Sequence, residues 1–288
     1  MSSDRQAYDP NQRQPAGVLA SWIEQLLQKM AAPHTECLLK VAVDLGARAY
    51  DRHANQLADA LRSLDTSVHD LDYGVVVERE SSDVAAFQKS WSAAARAARK
   101  STLLALELAS WLQNHDPGVR RAIVELRMEQ QRLHDVLQHG EGWLADLWSD
   151  LRQRRPAEGD AAGMEKLRGL ANTADTLGTR MRRMRSAGRA VEEACVLAEQ
   201  VLALRRALVQ EIDEILAPRH AGWEQAVLKL LENAEDSGWA VDIEPAQQQD
   251  AQLRADVQRC IAGCDKLRQE ERALQRCLAT TCEQLRAA

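Results

Sequence analysis

The chain has 288 residues, a formal net charge of -6 and 45% hydrophobic residues, but only 14 glycines and 7 prolines. Because sheets need turn residues between strands, this composition predicts an all-α protein. The acidic balance disfavours nucleic acid as a partner. No segment is long and apolar enough to predict a transmembrane span.

The first half of the chain is predicted to form a series of separate helices. Residues 1–15 are polar and predict a disordered tail. A short helix follows over residues 16–30, and Ala32 and Pro33 are predicted to interrupt it. The next helix is predicted over residues 35–71, with a hydrophobic stripe at Tyr50, Ala54, Leu57, Leu61, Leu64, Val68 and Leu71.

Two more helices are predicted before the middle of the chain. One begins after the capping residues Ser81, Ser82 and Asp83 and continues to residue 112. Asp116 and Pro117 predict the start of another, because an acidic N-cap followed by proline favours the first helical turn. Its stripe continues to residue 151, and residues 156–163 are predicted to form a loop.

The second half carries the strongest pattern in the chain. Stripe positions alternate three and four residues apart from residue 167 to residue 216, which predicts one long helix covered by others. They are Leu167, Leu170, Ala174, Leu177, Met181, Met184, Gly188, Val191, Cys195, Ala198, Leu202, Arg205, Val209, Ile212 and Leu216. Ala217 and Pro218 are predicted to end this helix, and a shorter helix follows over residues 219–236. A last helix is predicted from Pro245 to residue 285, with the stripe Leu253, Val257, Cys260, Cys264, Leu267, Glu271, Leu274, Leu278, Thr281 and Leu285.

These elements predict an elongated antiparallel helical bundle, coiled-coil-like and with very long helices. We predict a first bundle over residues 16–155, a linker loop over 156–163 and a long-helix bundle over 164–288. One continuous domain over residues 16–288 is the alternative, because heptad spacing occurs on both sides of the loop.

Basic residues are concentrated in one region. Residues 152–189 contain nine arginines and one lysine against four acids, a local charge of +6 in a chain of net -6. Arginine forks suit carboxylates and phosphates, so this region is a candidate contact for a protein or an anion. Pairing with the acids of residues 211–236 is the alternative. The candidate residues are Arg152, Arg154, Arg155, Arg180, Arg182, Arg183, Arg185 and Arg189.

The other chemistry-bearing residues favour structural roles. The six cysteines fall in predicted helices and are expected to be buried, reduced thiols, which predicts a cytoplasmic protein. Cys264 and Cys277 are about 19 Å apart along a helix, too far for one zinc site. Asp65, His69 and Asp72 share a helical face that could hold a cation. Neither a metal nor another cofactor is predicted.

Gln130 and Arg205 each interrupt an otherwise hydrophobic stripe. Single polar residues in such stripes fix register or oligomeric state at some cost in stability. Replacement of Arg205 by leucine is therefore predicted to raise stability.

One short segment resembles part of a known family. Leu133, His134, Asp135 and Val136, followed by Trp148, resemble a segment of the bacterial toxic-anion (tellurite) resistance family. No function is carried over from this resemblance. The Arg- and Ala-rich composition indicates a bacterial source.

These observations predict a non-enzymatic protein that binds other proteins as an adaptor, scaffold or regulator, since no catalytic motif is present. Its protein partners are unidentified. They include a second copy of the chain, bound through an incompletely covered stripe. The first alternative is a peripheral rod that binds anionic lipid. A bacterial stress-resistance or effector protein is another, and an enzyme or metal protein built in the bundle core is a third.

Overall fold

The computed structural model describes residues 15–44, 47–74, 81–154, 160–236 and 242–287, and these residues form an all-α protein without strands. The long helices confirm the predicted fold class. The first three are α1 (Ala16–Asp44), α2 (Ala47–His69) and α3 (Ser81–Gln153). The others are α4 (Ala161–Gln210), a π-helical turn (Glu211–Leu216), α5 (Ala217–Asp236) and α6 (Glu244–Arg286).

The chain forms two compact units, each assembled from separate stretches of sequence. Unit 1 comprises residues 1–42, 124–195 and 276–288, and unit 2 comprises residues 43–123 and 196–275. The domain boundary predicted at 156–163 stays a prediction, and residues 155–159 are outside the described part of the chain. The predicted tail is also outside it, except for Pro15.

The stripes predicted for α2 and α6 are confirmed. All ten stripe positions of α6, from Leu253 to Leu285, are buried, and so are the six stripe positions of α2 and Leu71, which follows the end of α2. The polar members Glu271 and Thr281 are included. A constant three-four spacing therefore located the buried face of both helices correctly, because such spacing keeps side chains on one side of a helix.

The stripe predicted over residues 167–216 is buried at most of its positions, including Arg205, Ile212 and Leu216 near its end, but not at Leu202 and Val209. Met181, Met184 and Val191 are buried as predicted, within unit 1. In unit 2 the predicted Leu202 and Val209 are half-buried, whereas their neighbours Val201 and Leu208 are buried. Adjacent apolar residues in the sequence made either member of each pair compatible with a heptad.

Two of the predicted helix interruptions do not occur. Helix α1 continues through Pro33 to Asp44, and α3 continues through Pro117 as one helix of 73 residues. Asp116 does not act as the predicted cap, because its carboxylate pairs with Arg120 of its own helix and with Arg206 of α4. Both prolines are exposed, so packing on the opposite face of the helix offsets the lost backbone hydrogen bond.

This arrangement predicts that Pro117→Ala stabilises the protein. The exposed proline has no packing to lose, and an interior proline costs up to about 3 kcal/mol relative to alanine. We expect a gain of roughly 1–3 kcal/mol in the free energy of unfolding. Urea unfolding followed by far-UV circular dichroism measures it. A loss of stability would indicate that Pro117 starts a separate helix, as the sequence suggested.

Pro218 does not end the helical run either. The π-helical turn joins α4 directly to α5, and the Ala217 amide donates to the Ile212 carbonyl. The wider turn lies immediately before Pro218, whose ring in a regular α-helix would meet the carbonyl of Glu214. The predicted stop is therefore replaced by a local change of helical geometry.

Candidate interaction surface

The arginine cluster comprises Arg180, Arg182, Arg183, Arg185 and Arg189, all in the part of α4 that belongs to unit 1. Arg180 is half-buried, and the other four are exposed. Residues 176–191 contain these five arginines and no acidic residue. The cluster is therefore a strongly positive stretch of helix whose charges reach solvent.

The members of the cluster differ in how they are bonded. Arg185 donates through Nε and Nη2 to one carboxylate oxygen of Glu141 in α3, at 2.9 and 2.5 Å. Arg182 donates to the Thr179 hydroxyl at 3.0 Å, and Arg183 donates to a backbone carbonyl near the end of the chain. Arg189 has no hydrogen bond or ion pair with any residue that the structure describes.

A groove of about 360 Å³ lies beside Arg189, between α3 and α4 of unit 1. Its floor includes Leu137 and Gly188, where the two helices approach closely. A Cβ atom added to Gly188 would lie 3.3 Å from Cδ1 of Leu137. This close approach explains why a glycine occupies a stripe position of α4. The polar side chains that line this α3–α4 groove are Gln130, Gln131 and His134 of α3 and Arg185, Arg189 and Glu192 of α4.

Two of the three earlier arginines of the candidate set, Arg152 and Arg154, do not line this groove. Arg152 and Arg154 are exposed, and Arg154 pairs with Asp150 through an Nη2–Oδ2 distance of 2.9 Å. Arg155 lies outside the described residues. Of the eight candidates, the structure therefore brings Arg185 and Arg189 together in one concave site.

Three of the acids suggested as partners of the cluster contact other residues, and Glu232 is exposed and contacts none of the cluster arginines. Glu211, Asp213 and Glu214 are all engaged within unit 2, and the side chains of Glu235 and Asp236 are outside the described residues. The partners of the first three are Arg259 at 3.6 Å, Gln113 at 3.4 Å and Gln210 at 2.8 Å, respectively. The partner of Arg185 is instead Glu141, which sequence reasoning did not identify.

The polar residue in the α4 stripe belongs to a buried ion pair in unit 2. Arg205 and Glu271 are only 1% and 4% exposed, and Arg205 Nε donates to Glu271 Oε1 at 3.0 Å. The guanidinium also lies over the Trp111 ring, 5.7 Å from its centre. Two polar residues that interrupt two separate stripes therefore form one contact. The sequence showed each residue but not their pairing.

Burial raises the pKa of Glu271. Desolvation raises the pKa of Glu271 to about 7 from 4.5, although the Arg205 guanidinium opposes the shift. Between these values the folded state holds a proton that the unfolded state has lost. The contribution of Glu271 to stability is therefore present below pH 4.5 and is lost as the pH rises towards 7.

We therefore expect Glu271→Gln to remove part of the pH dependence of stability. Wild-type stability should fall more steeply than that of the variant between pH 4.5 and pH 7, because only the wild type loses this proton. Urea midpoints measured across this pH range for both proteins test the difference. Parallel pH profiles would contradict the raised pKa.

The face of Asp65, His69 and Asp72, which the sequence offered as able to hold a cation, is contacted by an arginine of another helix. Arg254 of α6 donates to Asp65 at 2.8 Å and lies 3.3 Å from Nδ1 of His69. Asp72 instead accepts a hydrogen bond from the backbone amide of Gly74. Asp65 and His69 therefore contact a guanidinium from another helix.

The cysteines are free thiols, and four of the six are buried. Cys260 and Cys264 lie on the buried face of α6, where the Tyr50 hydroxyl donates to the Cys264 carbonyl at 2.9 Å. Burial raises the pKa of Cys277, which is half-buried and donates to the Ala190 carbonyl. Among the described residues, no three metal-ligating side chains converge on one point.

Two further sets of hydrogen-bonded or contacting polar side chains, one around the half-buried Asp250 and one around the buried His34, were not predicted from the sequence. In unit 2, Asp250 accepts hydrogen bonds from the Tyr73 hydroxyl at 2.9 Å and from Trp223 Nε1 at 2.5 Å. In unit 1, the buried His34 contacts the buried Glu129, and desolvation lowers the pKa of His34 to about 4. Each group joins residues far apart in sequence, so no local spacing signals it.

Within the described residues, no helix is both long and apolar enough to cross a bilayer. No protein-family model matches the chain, and neither a curated protein nor a solved structure matches it. The short resemblance around Leu133 and His134 therefore has no support from a family match.

Proposed function

We propose that the protein is non-enzymatic and acts by binding another protein through the arginine cluster of unit 1. The observation that carries this proposal is the exposure of four of the five arginines in a stretch without acids. Exposed arginines form bidentate contacts with carboxylates and are frequent in the centres of protein interfaces.

Hydrogen bonds between side chains of the helical core support a non-enzymatic role. Arg205 and Glu271 bond to each other, and Asp250 is bonded to Tyr73 and Trp223. Such pairs stabilise or specify a helical core without contacting a substrate. The surface arginines then remain as the groups suited to recognition.

Binding to an anionic membrane is the second candidate, because clustered arginines also attract lipid headgroups. Helices that lie in a membrane interface combine basic residues with large apolar side chains that insert between the lipids. Of the exposed large hydrophobic side chains in the described residues, none falls between residues 165 and 195. This composition favours a protein partner over a lipid surface.

A pull-down from native lysate at low and at physiological salt tests the proposal. The baits are the wild type and the triple variant Arg182→Gln, Arg185→Gln, Arg189→Gln. The matched control is Arg52→Gln, Arg96→Gln, Arg121→Gln, which removes three exposed arginines from unit 2. We expect one stoichiometric protein, retained at physiological salt by the wild type and the control but lost from the triple variant.

Two results would contradict this function. The first is the absence of any protein retained above background at either salt. The second is flotation with vesicles that increases with anionic lipid content and disappears in the triple variant, which would establish the membrane candidate instead.

A further inference from the structure

We infer that the α3–α4 groove binds an acidic helical segment of the partner protein, one that carries two carboxylates a single turn apart. This inference rests on the proposed function and specifies its site and the chemistry of its partner. The groove lies between two helical stretches of unit 1 and has a volume of about 360 Å³. That volume is within the usual range of roughly 300–1,000 Å³ for binding pockets.

The spacing of the two groove arginines determines the partner's pattern. Arg185 and Arg189 are four residues apart on α4 and both line the groove. Four residues of helix rise about 6 Å, so their guanidinium groups are presented one turn apart on one side of the helix. Carboxylates at positions i and i+4 of a partner helix have the same separation. One pair of arginines can thus contact one pair of acids.

Both arginines are available to such a partner. Arg189 is exposed and has no hydrogen bond or ion pair among the described residues. Arg185 is paired with Glu141, but their side chains are 51% and 40% exposed. An ion pair exposed to this degree contributes about 0–1 kcal/mol, so an incoming carboxylate can replace or share it.

The opposite wall and the floor complement an amphipathic helix. Gln130 and His134 of α3 have no hydrogen bond within the described part of the chain, so their polar groups are available to a ligand. Leu137 and Gly188 give the floor an apolar surface where a side chain between the two carboxylates would pack. Helices commonly bind in grooves of this kind with their apolar side inward.

The groove also carries groups that oppose an acidic ligand, and these provide a sharp test. Glu192 lines it, and Glu141 holds Arg185. Removal of either charge should strengthen binding of an acidic helix, because one repulsion disappears and, for Glu141, the guanidinium of Arg185 is released. A purely structural role of these arginines would not give a gain of affinity.

The probe is a fluorescein-labelled helical peptide of alanine and glutamine with two glutamates four residues apart. Its twin has glutamine in place of both glutamates. Fluorescence anisotropy with the full chain measures affinity up to millimolar protein, and inorganic phosphate and phosphatidylserine vesicles are added as competitors. Thermal unfolding of each variant confirms that the protein is folded.

We expect the glutamate peptide to bind and its twin not to bind. Arg189→Gln should weaken binding about tenfold or more, because it removes a charged bidentate contact. Glu141→Gln and Glu192→Gln should each strengthen it. The matched control Arg182→Gln removes an exposed arginine that does not line the groove, and it should change affinity much less than Arg189→Gln.

Several outcomes would overturn the inference. One is equal binding of the two peptides, and another is no binding in the millimolar range. A third is an equal loss of affinity for Arg182→Gln and Arg189→Gln, which would indicate diffuse electrostatic attraction only. Displacement of the peptide by phosphate or by vesicles at lower concentrations would assign the groove to those ligands. If the pull-down yields an arginine-dependent partner but the peptide fails, the proposed function stands and the groove inference falls. If the pull-down yields no arginine-dependent partner, the proposed function fails, whatever the result with the peptide.

Discussion

Arg205→Leu is expected to lower the free energy of unfolding by about 3–5 kcal/mol, because it leaves Glu271 buried without its partner. Glu271 is 4% exposed, and its Oε2 atom has no hydrogen bond with any residue that the structure describes. The loss should be smaller below the pKa of Glu271 than above it, since a protonated carboxyl is less costly to bury. This expectation reverses the sequence-based one, in which leucine in the stripe stabilised the helix.

The double variant Arg205→Leu, Glu271→Leu distinguishes the energy of the interaction between the two residues from the separate contribution of each residue. Replacement of both charges by apolar residues removes their desolvation cost, so most of the lost stability should return. Urea unfolding of the wild type, both single variants and the double variant gives the coupling energy between the two residues. Additive losses would show that Arg205 and Glu271 do not act as a pair.

Trp223→Ala is expected to cost about 3–5 kcal/mol, the range for removal of a large buried aromatic side chain. Trp223 is 0% exposed in the core of unit 2, and its indole Nε1 donates to Asp250 at 2.5 Å. The substitution therefore opens a cavity and also removes one of the two hydrogen bonds that Asp250 accepts. Chemical denaturation followed by circular dichroism measures the loss.

Two further variants identify the cause of the stability lost in Trp223→Ala. Trp223→Phe keeps most of the ring but not the hydrogen bond, so its cost should be smaller and should measure mainly the bond to Asp250. Trp148→Ala removes a half-buried tryptophan of unit 1 and serves as the matched control, with a smaller expected loss. Equal losses at positions 148 and 223 would show that complete burial of the side chain is not the main cause of the lost stability.

The stripes were predictable because they depend on the sequence alone. Three-four spacing places residues on one side of any α-helix, whatever covers that side, so the buried faces of α2 and α6 were located correctly. The scarcity of glycine and proline likewise excluded sheets. The same information located the positive stretch of residues 180–189, but only the structure shows that four of its five arginines are exposed.

Tertiary structure decided which local signals take effect. Asp116 and Pro117 form a strong start signal, yet α3 continues through them, because packing over many turns outweighs one missing backbone hydrogen bond. Contacts between residues that are distant in sequence could not be predicted either. The ion pairs are Arg205 with Glu271, Arg254 with Asp65, and Arg185 with Glu141. The sequence determined which side of each helix is buried. Only the fold decided which partner each polar residue contacts, because pairing depends on how the helices are aligned against one another.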